Sequence, residues 1–312
     1  MDVAEGVKEN VMKGLYLLWA DHIYIDKALA AGIDTLIVPF YSLPDDANDG
    51  GYFPTFDQAR DVFDRYKGKA RLIASPVLYQ FWANLPEDER FVQNGVYFPR
   101  HICPTSETHI DRFMTPFVKL HSQGLVDEVV PDVEHYTGEP KIYNDKIRCE
   151  CPRCAPLSHE DQWKHRAMLM KKYPFCTGQL AHDSWWSLNT YSQKKVLTEN
   201  TYSESGLIKR GQMWFVKNLA KRHGCSMTII PGAFVEMFRS MDKFIEYLGY
   251  LKSHCPYKGY WIYTQKMFSR WNKLPQSEID SLAKTNDGFY ETRLIDEVDP
   301  NFFGKLKALN NR

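Results

Sequence analysis

Eight short apolar runs recur along the 312-residue chain, and between most of them lies a segment with helical periodicity. The runs cover residues 14–19, 34–40, 70–78, 126–133, 174–179, 195–200, 226–231 and 259–264. Stretches such as TLIVPF and RLIASPVL are apolar without alternation, as strands covered on both faces require. The helical segments are 23–31, 55–66, 106–123, 205–223 and 242–253, the first four ending at or close to Gly32, Gly68, Gly124 and Gly224. Eight units of strand, loop and helix predict a parallel sheet with helices outside, closed into a (β/α)8 TIM barrel. The sixth run, in KKVLTENTY, is the most polar and reads equally as a loop.

Residues 1–312 are expected to form a single barrel domain, with 266–312 as a C-terminal extension packed on the barrel and offering no ninth strand unit. Hydrophobic residues at 44% and charged residues at 25% leave enough apolar material for a large core. Lys plus Arg equals Asp plus Glu at 39 each, and the basic residues are dispersed, which argues against nucleic acid as a partner. No apolar run reaches the roughly 18 to 20 residues that cross a bilayer, so no membrane partner is expected. Residues 1–10 are too polar for the apolar region of a signal peptide. The expected location is cytoplasmic, or exported after loss of a signal peptide. Oligomeric state is left open.

In a barrel of this kind the chemistry collects at the carboxyl ends of the strands and in the loops after them. Those positions hold Trp19 and His22 after the first strand, Tyr79 and Trp82 after the third, and Asp132, Glu134 and Tyr136 at the fourth. His182, Asp183, Trp185 and Trp186 follow the fifth, Glu199 stands at the sixth, Glu236 follows the seventh and Tyr263 ends the eighth. Carboxylates beside aromatic faces match the needs of glycosidic bond cleavage. One carboxyl group protonates the leaving oxygen, and another attacks the anomeric carbon or activates water. Glu134 is the acid candidate, with its pKa expected to be raised by a partly dry mouth; Asp132 is the candidate to hold a neighbouring group in place or to keep Glu134 protonated by like-charge repulsion. Glu199, Glu236 and Asp183 are the candidates for the second carboxylate. Trp19, His22, Tyr79, Trp82, Tyr136, His182, Asp183, Trp185, Trp186 and Tyr263 are candidates for binding a carbohydrate, which aromatic faces can stack on. A barrel that binds carbohydrate without cleaving it would use the same aromatic set.

Seven cysteines are an odd number, and Cys149, Cys151 and Cys154 stand in a CxCxxC spacing that suits metal ligation better than a disulfide framework. Tetrahedral zinc wants four ligands, and Cys103, Cys176 and His159 are candidates for the fourth. A zinc hydrolase would need an open position on the metal, which four cysteines would deny it.

Arg100, His101, Cys103, Pro104 and Ser106, followed by a helix, a strand leading to a Glu and then CxCxxC, resemble the glycoside hydrolase family 42 β-galactosidases. The resemblance implies a retaining β/α barrel with Glu134 as acid/base on the fourth strand and a nucleophile on the seventh. It also implies a structural zinc held by Cys103, Cys149, Cys151 and Cys154. Val133 stands where that family usually has Asn, and Glu236 lies several residues past its strand. Asp127, Asp132, Glu134 and Tyr136 also resemble part of the family 18 chitinase motif, with Val130 in place of one Asp. That likeness implies a substrate-assisted hydrolase of N-acetylated sugars.

Overall fold

The structure is a computed structural model describing residues 12–17, 20–40, 54–76, 87–103, 105–130, 149–158, 161–162, 165, 172–176, 179–180, 196–201, 226–231, 241–254, 259–262, 266–270, 290–294 and 299–312. Among them the strands are β1 (Met12–Tyr16), β2 (Thr35–Phe40), β3 (Arg71–Pro76), β4 (Arg90–Gln93), β5 (Val96–Ile102) and β6 (Glu128–Val129), then β7 (Gln179–Leu180), β8 (Val196–Thr201), β9 (Ser226–Pro231), β10 (Gly259–Ile262), β11 (Lys266–Arg270) and β12 (Tyr290–Leu294). The helices are α1 (His22–Ala30), α2 (Phe56–Tyr66), α3 (Glu107–Ser122), α4 (Met241–His254) and α5 (Phe302–Asn310). None of these helices is long and apolar enough to cross a membrane.

Eight strands form one sheet in the order β6-β3-β2-β1-β10-β9-β8-β7, with parallel pairing throughout. Val129, in the strand at one end of that order, makes a parallel bridge with Cys176, three residues ahead of the strand at the other end. Its amide donates to the Phe175 carbonyl at 3.0 Å. The polar sixth run is a strand: Val196 to Thr201 pair residue for residue with Ser226 to Pro231. Thr198 and Thr201 are β-branched, which suits extended backbone despite their hydroxyls.

Strands β2 and β3 are buried on both faces among the described residues, which is why they read as unbroken apolar runs. Leu15, Leu36, Val38, Leu72, Ala74, Val129 and Ile262 pack with the helices in one core. Tyr16, Ile37, Ile73, Ser75 and Val130 alternate with them and are equally buried on the opposite face. The helices meet the sheet through stripes such as Phe56, Ala59, Val62, Phe63 and Tyr66 of α2. Thr55 starts that helix with a capping box: its hydroxyl accepts from the Gln58 amide at 3.1 Å, and Gln58 Oε1 accepts from the Thr55 amide at 2.9 Å.

Two features of the connections were not expected from the run pattern. The connection from β3 to α3 contains the antiparallel hairpin β4–β5, turning at Asn94 and Gly95, whose φ angles of 51° and 73° are the left-handed values a two-residue hairpin turn needs. The stretch 266–312, expected to pack on the barrel and to offer no ninth strand unit, contains the antiparallel pair β11–β12 and the helix α5.

Helix α5 lies against both α1 and α4. Phe302 stacks on Phe244, Phe303 meets Tyr24 edge to face, and Lys305 pairs with Asp242 and Asp299 at 2.6 Å each. Lys252 donates to the carbonyls of Leu309 and Asn310 at the end of α5, a favourable place for a cation. Asn310 donates to the Ala31 carbonyl at 3.0 Å, beside Gly32, whose φ of 89° ends α1. A Cβ on Gly32 would come within 3.1 Å of the Asn310 side chain, so a side chain here would strain the turn and push on the docked helix.

Phe302 is almost wholly buried, so Phe302→Ala should cost about 3 to 5 kcal/mol, measured as a fall in unfolding free energy in urea. A second prediction concerns Tyr66, which is buried and donates to Asp26 at 3.0 Å and to the His22 carbonyl at 3.1 Å. Burial, reinforced by the Asp26 carboxylate, pushes the phenol up to about 12 from its ordinary 10. The folded state thus favours the protonated phenol, and its stabilising contribution is complete below pH 10 and is lost as pH rises toward 12. The wild type should lose more stability across that interval than Tyr66→Phe, as followed by urea midpoints at stepped pH.

Candidate functional site

The connections leaving β3 and β6, neighbouring strands of the sheet, are joined by four cysteines. Cys103 follows β5 in the first connection; Cys149, Cys151 and Cys154 lie in the second. Their Sγ atoms all lie within 4.8 Å of one another, and each residue is at most 5% exposed. Cys103 Sγ is 3.5 Å from Cys151 Sγ and 3.4 Å from Cys154 Sγ. A tetrahedral shell with metal–sulfur bonds of about 2.3 Å has sulfur–sulfur edges of about 3.8 Å, so the donor set has the size and softness of a metal shell.

The electrostatics point the same way. Hydrogen bonding from Cys149 and Cys154 holds the Cys103 thiol far below its usual range against the cost of burial. The same contact with Cys103 pushes Cys149 up to about 12 and drives Cys154 higher still. Four buried sulfurs this close cannot all ionise without a cation among them, and a bound divalent ion would relieve that conflict. Burial works against the charge on Arg153, but the Cys103 thiolate and Glu89 more than offset it and raise its pKa.

Surrounding groups fix the sulfurs. The Val92 amide, on β4, points at Cys149 Sγ at 3.5 Å, and Thr105 Oγ1 lies 3.1 Å from Cys154 Sγ and 3.3 Å from Cys103 Sγ. The Glu150 amide donates to the Val92 carbonyl at 2.7 Å, and Glu150 Oε2 accepts from the Asn94 amide at 2.5 Å, so the cysteine loop is bonded along the hairpin. Arg153 reaches the Asp88 carbonyl at 2.5 Å and Glu89 at 3.5 Å. Phe91 and Val92 pack on the four cysteines as a small core of their own. Of the three candidates for the fourth ligand, the structure brings Cys103 to the cluster. Cys176 sits in the sheet–helix core, and His159 lies outside the described residues.

The sequence placed carbohydrate-binding and catalytic candidates around the strand ends. His22 begins α1, where Nε2 meets Asp61 of α2 at 2.7 Å and the ring lies 5.7 Å from that of Tyr66. The Asp61 carboxylate can only accept, so Nε2 carries the shared proton. Glu199 lies on β8 in register with Ile229, which in turn stands opposite Tyr260 and hence Lys13. Lys13 shares strand parity with Leu15, so the Glu199 position has the parity of the helix-facing row, whereas Thr198 and Asn200 have that of the other face. Asp127, part of the family 18 likeness, accepts from the Leu72 amide at 2.7 Å and ties β6 to the start of β3. Asp132, Glu134, Glu236, Trp19, Tyr79, Trp82, Tyr136, His182, Asp183, Trp185, Trp186 and Tyr263 lie outside the described residues. The sequence reading missed Thr105, Gln162 and the Val92 amide at the sulfur cluster. Nothing in their spacing from the cysteines marks them, because they reach the cluster only through the fold.

No protein-family model matches the chain, and no curated protein sequence matches it significantly. Similar folds are found among solved structures. A GH113 β-1,4-mannanase aligns over 97% of this chain and 99% of its own, with a TM-score of 0.52 at 12% identity. A GH30 endoxylanase from Clostridium papyrosolvens C71 aligns over 97% of this chain and 72% of its own, at a TM-score of 0.53 and 13% identity. The catalytic domain of a β-amylase from Paenibacillus polymyxa aligns over 82% and 92%, at 0.51 and 9%. At these identities the likeness is one of fold, and the fold it supports is the α/β arrangement of a parallel sheet with helices.

Proposed function

We propose that this chain is a glycoside hydrolase on a closed (β/α)8 barrel, with Glu134 as the proton donor and a structural zinc on Cys103, Cys149, Cys151 and Cys154. The observation that carries the reading is the strand order, eight parallel strands whose two ends are bridged at Val129 and Cys176. The bridge from Val129 in β6 to Cys176, three residues ahead of β7, supports closure, which would leave the sheet without open edges. Catalytic groups of such a barrel stand at the strand carboxyl ends. Val130 is buried on the face away from the helices, and Asp132 and Glu134 follow it at two and four residues, the same strand parity. The shared fold with a β-1,4-mannanase and an endoxylanase supports a glycan substrate, though fold alone never fixes chemistry.

In this mechanism Glu134 gives its proton to the glycosidic oxygen as the bond to the anomeric carbon breaks, and a second carboxylate attacks or activates water from the opposite side of the ring. The register of β8 gives the Glu199 position the helix-facing parity and so favours Glu236 as that second group. Asp132, one strand repeat before Glu134, keeps the acid protonated through like charge or a shared hydrogen bond. Trp19, Tyr79, Trp82, Tyr136, Trp185, Trp186 and Tyr263 form the stacking surface for sugar rings, with His182 and Asp183 bonding hydroxyls. Zinc in a closed four-sulfur shell has no open position for substrate, so its part is to hold the two connections together.

Assay of the wild type on mannan, xylan, galactan and aryl glycosides, with and without the N-acetyl group, tests the hydrolase. Glu134→Gln should lower kcat/KM by about 100-fold or more, as for loss of a general acid. Glu236→Gln should do the same, whereas Glu199→Gln should stay near wild type. Activity restricted to N-acetylated sugars and indifferent to Glu236→Gln would favour substrate assistance, and glycan binding with no cleavage anywhere would favour a binding barrel.

Metal removal supplies a separate prediction. Zinc held at a thousandfold its dissociation constant stabilises the fold by about 4 kcal/mol, so a strong chelator should lower the melting temperature by several degrees. Cys103→Ser should start from the lowered value and ignore the chelator.

A further inference from the structure

The CxCxxC loop carries a buried polar side chain that its spacing does not announce. Gln162 is 1% exposed, and its carboxamide makes three hydrogen bonds, all to backbone groups of the two outer cysteines. Oε1 accepts from the Cys149 amide at 2.9 Å, while Nε2 donates to the Cys149 carbonyl at 2.8 Å and to the Cys154 carbonyl at 3.2 Å. The residue is itself held in place. Ser158 starts its helical turn, its hydroxyl accepting from the Asp161 amide at 3.0 Å and donating to the Asp161 carboxylate at 2.6 Å, and the Gln162 amide bonds the Ser158 carbonyl at 3.0 Å.

We infer that Gln162 is a positioning residue for the metal: it fixes the backbone of Cys149 against that of Cys154 so that their sulfurs meet those of Cys103 and Cys151 before any ion arrives. The inference rests on the four-cysteine metal reading above. The chemistry of the side chain is specific to the task. One acceptor and two donors are needed, and only a neutral carboxamide offers both at this position. A carboxylate would keep the acceptor but lose both donors and add negative charge beside four sulfurs. An apolar residue of the same volume would leave an N–H and two carbonyls buried without that partner. Residues behind a metal's own ligands typically set affinity by factors of about 10 to 100.

The test is equilibrium binding of cobalt(II), read by its sulfur-to-metal charge-transfer absorbance, and of zinc by competition with a chromophoric chelator, on the full chain. Gln162→Met should weaken both metals by about 10- to 100-fold. Its chelator-treated form should also melt below the chelator-treated wild type, because three buried backbone groups lose their partner, but by less than the metal-loaded variant falls below the metal-loaded wild type. Gln162→Glu, with the acceptor kept, should lose less affinity than Gln162→Met, and it decides the matter if Gln162→Met does not fold. Affinities within twofold of wild type in the folded variants would overturn the inference. So would a fall in the melting temperature of the chelator-treated variant as large as that of the metal-loaded one, which marks a merely structural residue. A wild type that binds neither cobalt nor zinc would instead remove the metal reading on which the inference stands.

Discussion

The parallel register of the central sheet is the constraint from which the rest of the molecule follows. Thr35 to Phe40 and Arg71 to Pro76 pair over their whole length, and every other neighbour in the eight-strand order runs the same way. Parallel pairing needs a crossover connection between neighbouring strands, and the helices of those connections cover a face of the sheet. The burial of Leu36 and Leu72 against helices, and of Ile37 and Ile73 on the opposite side, is the direct expression of that requirement. It also explains where the elaborations are. The hairpin β4–β5 and the cysteine loop both belong to connections that leave carboxyl ends, and they belong to strands that are neighbours.

Within those connections a different force takes over. A loop and a hairpin have little apolar surface to bury, and the small core of Phe91 and Val92 with the cysteines is modest beside the sheet–helix core. Sulfur chemistry supplies what area cannot. The thiols repel each other's ionised forms, the backbone amide of Val92 and the hydroxyl of Thr105 face them, and Arg153 brings positive charge to the rim. The amide, the hydroxyl and the guanidinium favour negative sulfur, and the four sulfurs together could hold a metal ion.

Much of this was legible in the chain itself, for identifiable reasons. TLIVPF and RLIASP announce strands because burial on both sides leaves no polar alternation, and Gly32, Gly68 and Gly124 mark the helix ends with positive φ. CxCxxC suggests a shared ion because few other roles gather thiols so tightly, and the fold brings Cys103 to those three sulfurs in a cluster that could hold one. The hairpin was written in Asn94-Gly95 between apolar residues, but a reading organised around strand and helix alternation passes over an antiparallel pair inside a connection. The parity of Glu199 was hidden because VLTENT has polar residues on both sides and so no pattern from which to tell one face from the other. Gln162 could not be read at all. Its importance comes from three backbone groups that approach it in space, and a lone glutamine has no local signature.

The docking of α5 on α1 sets an order of events for the growing chain. The bond from Asn310 to Ala31 spans 279 residues, and Phe303 packs on Tyr24 across a comparable interval. During synthesis the face of α1 that α5 covers stays open to water until about 279 further residues have been made. At about 5 to 20 residues per second, that interval is tens of seconds at the slow end. That face of α1 therefore spends the interval without its final cover.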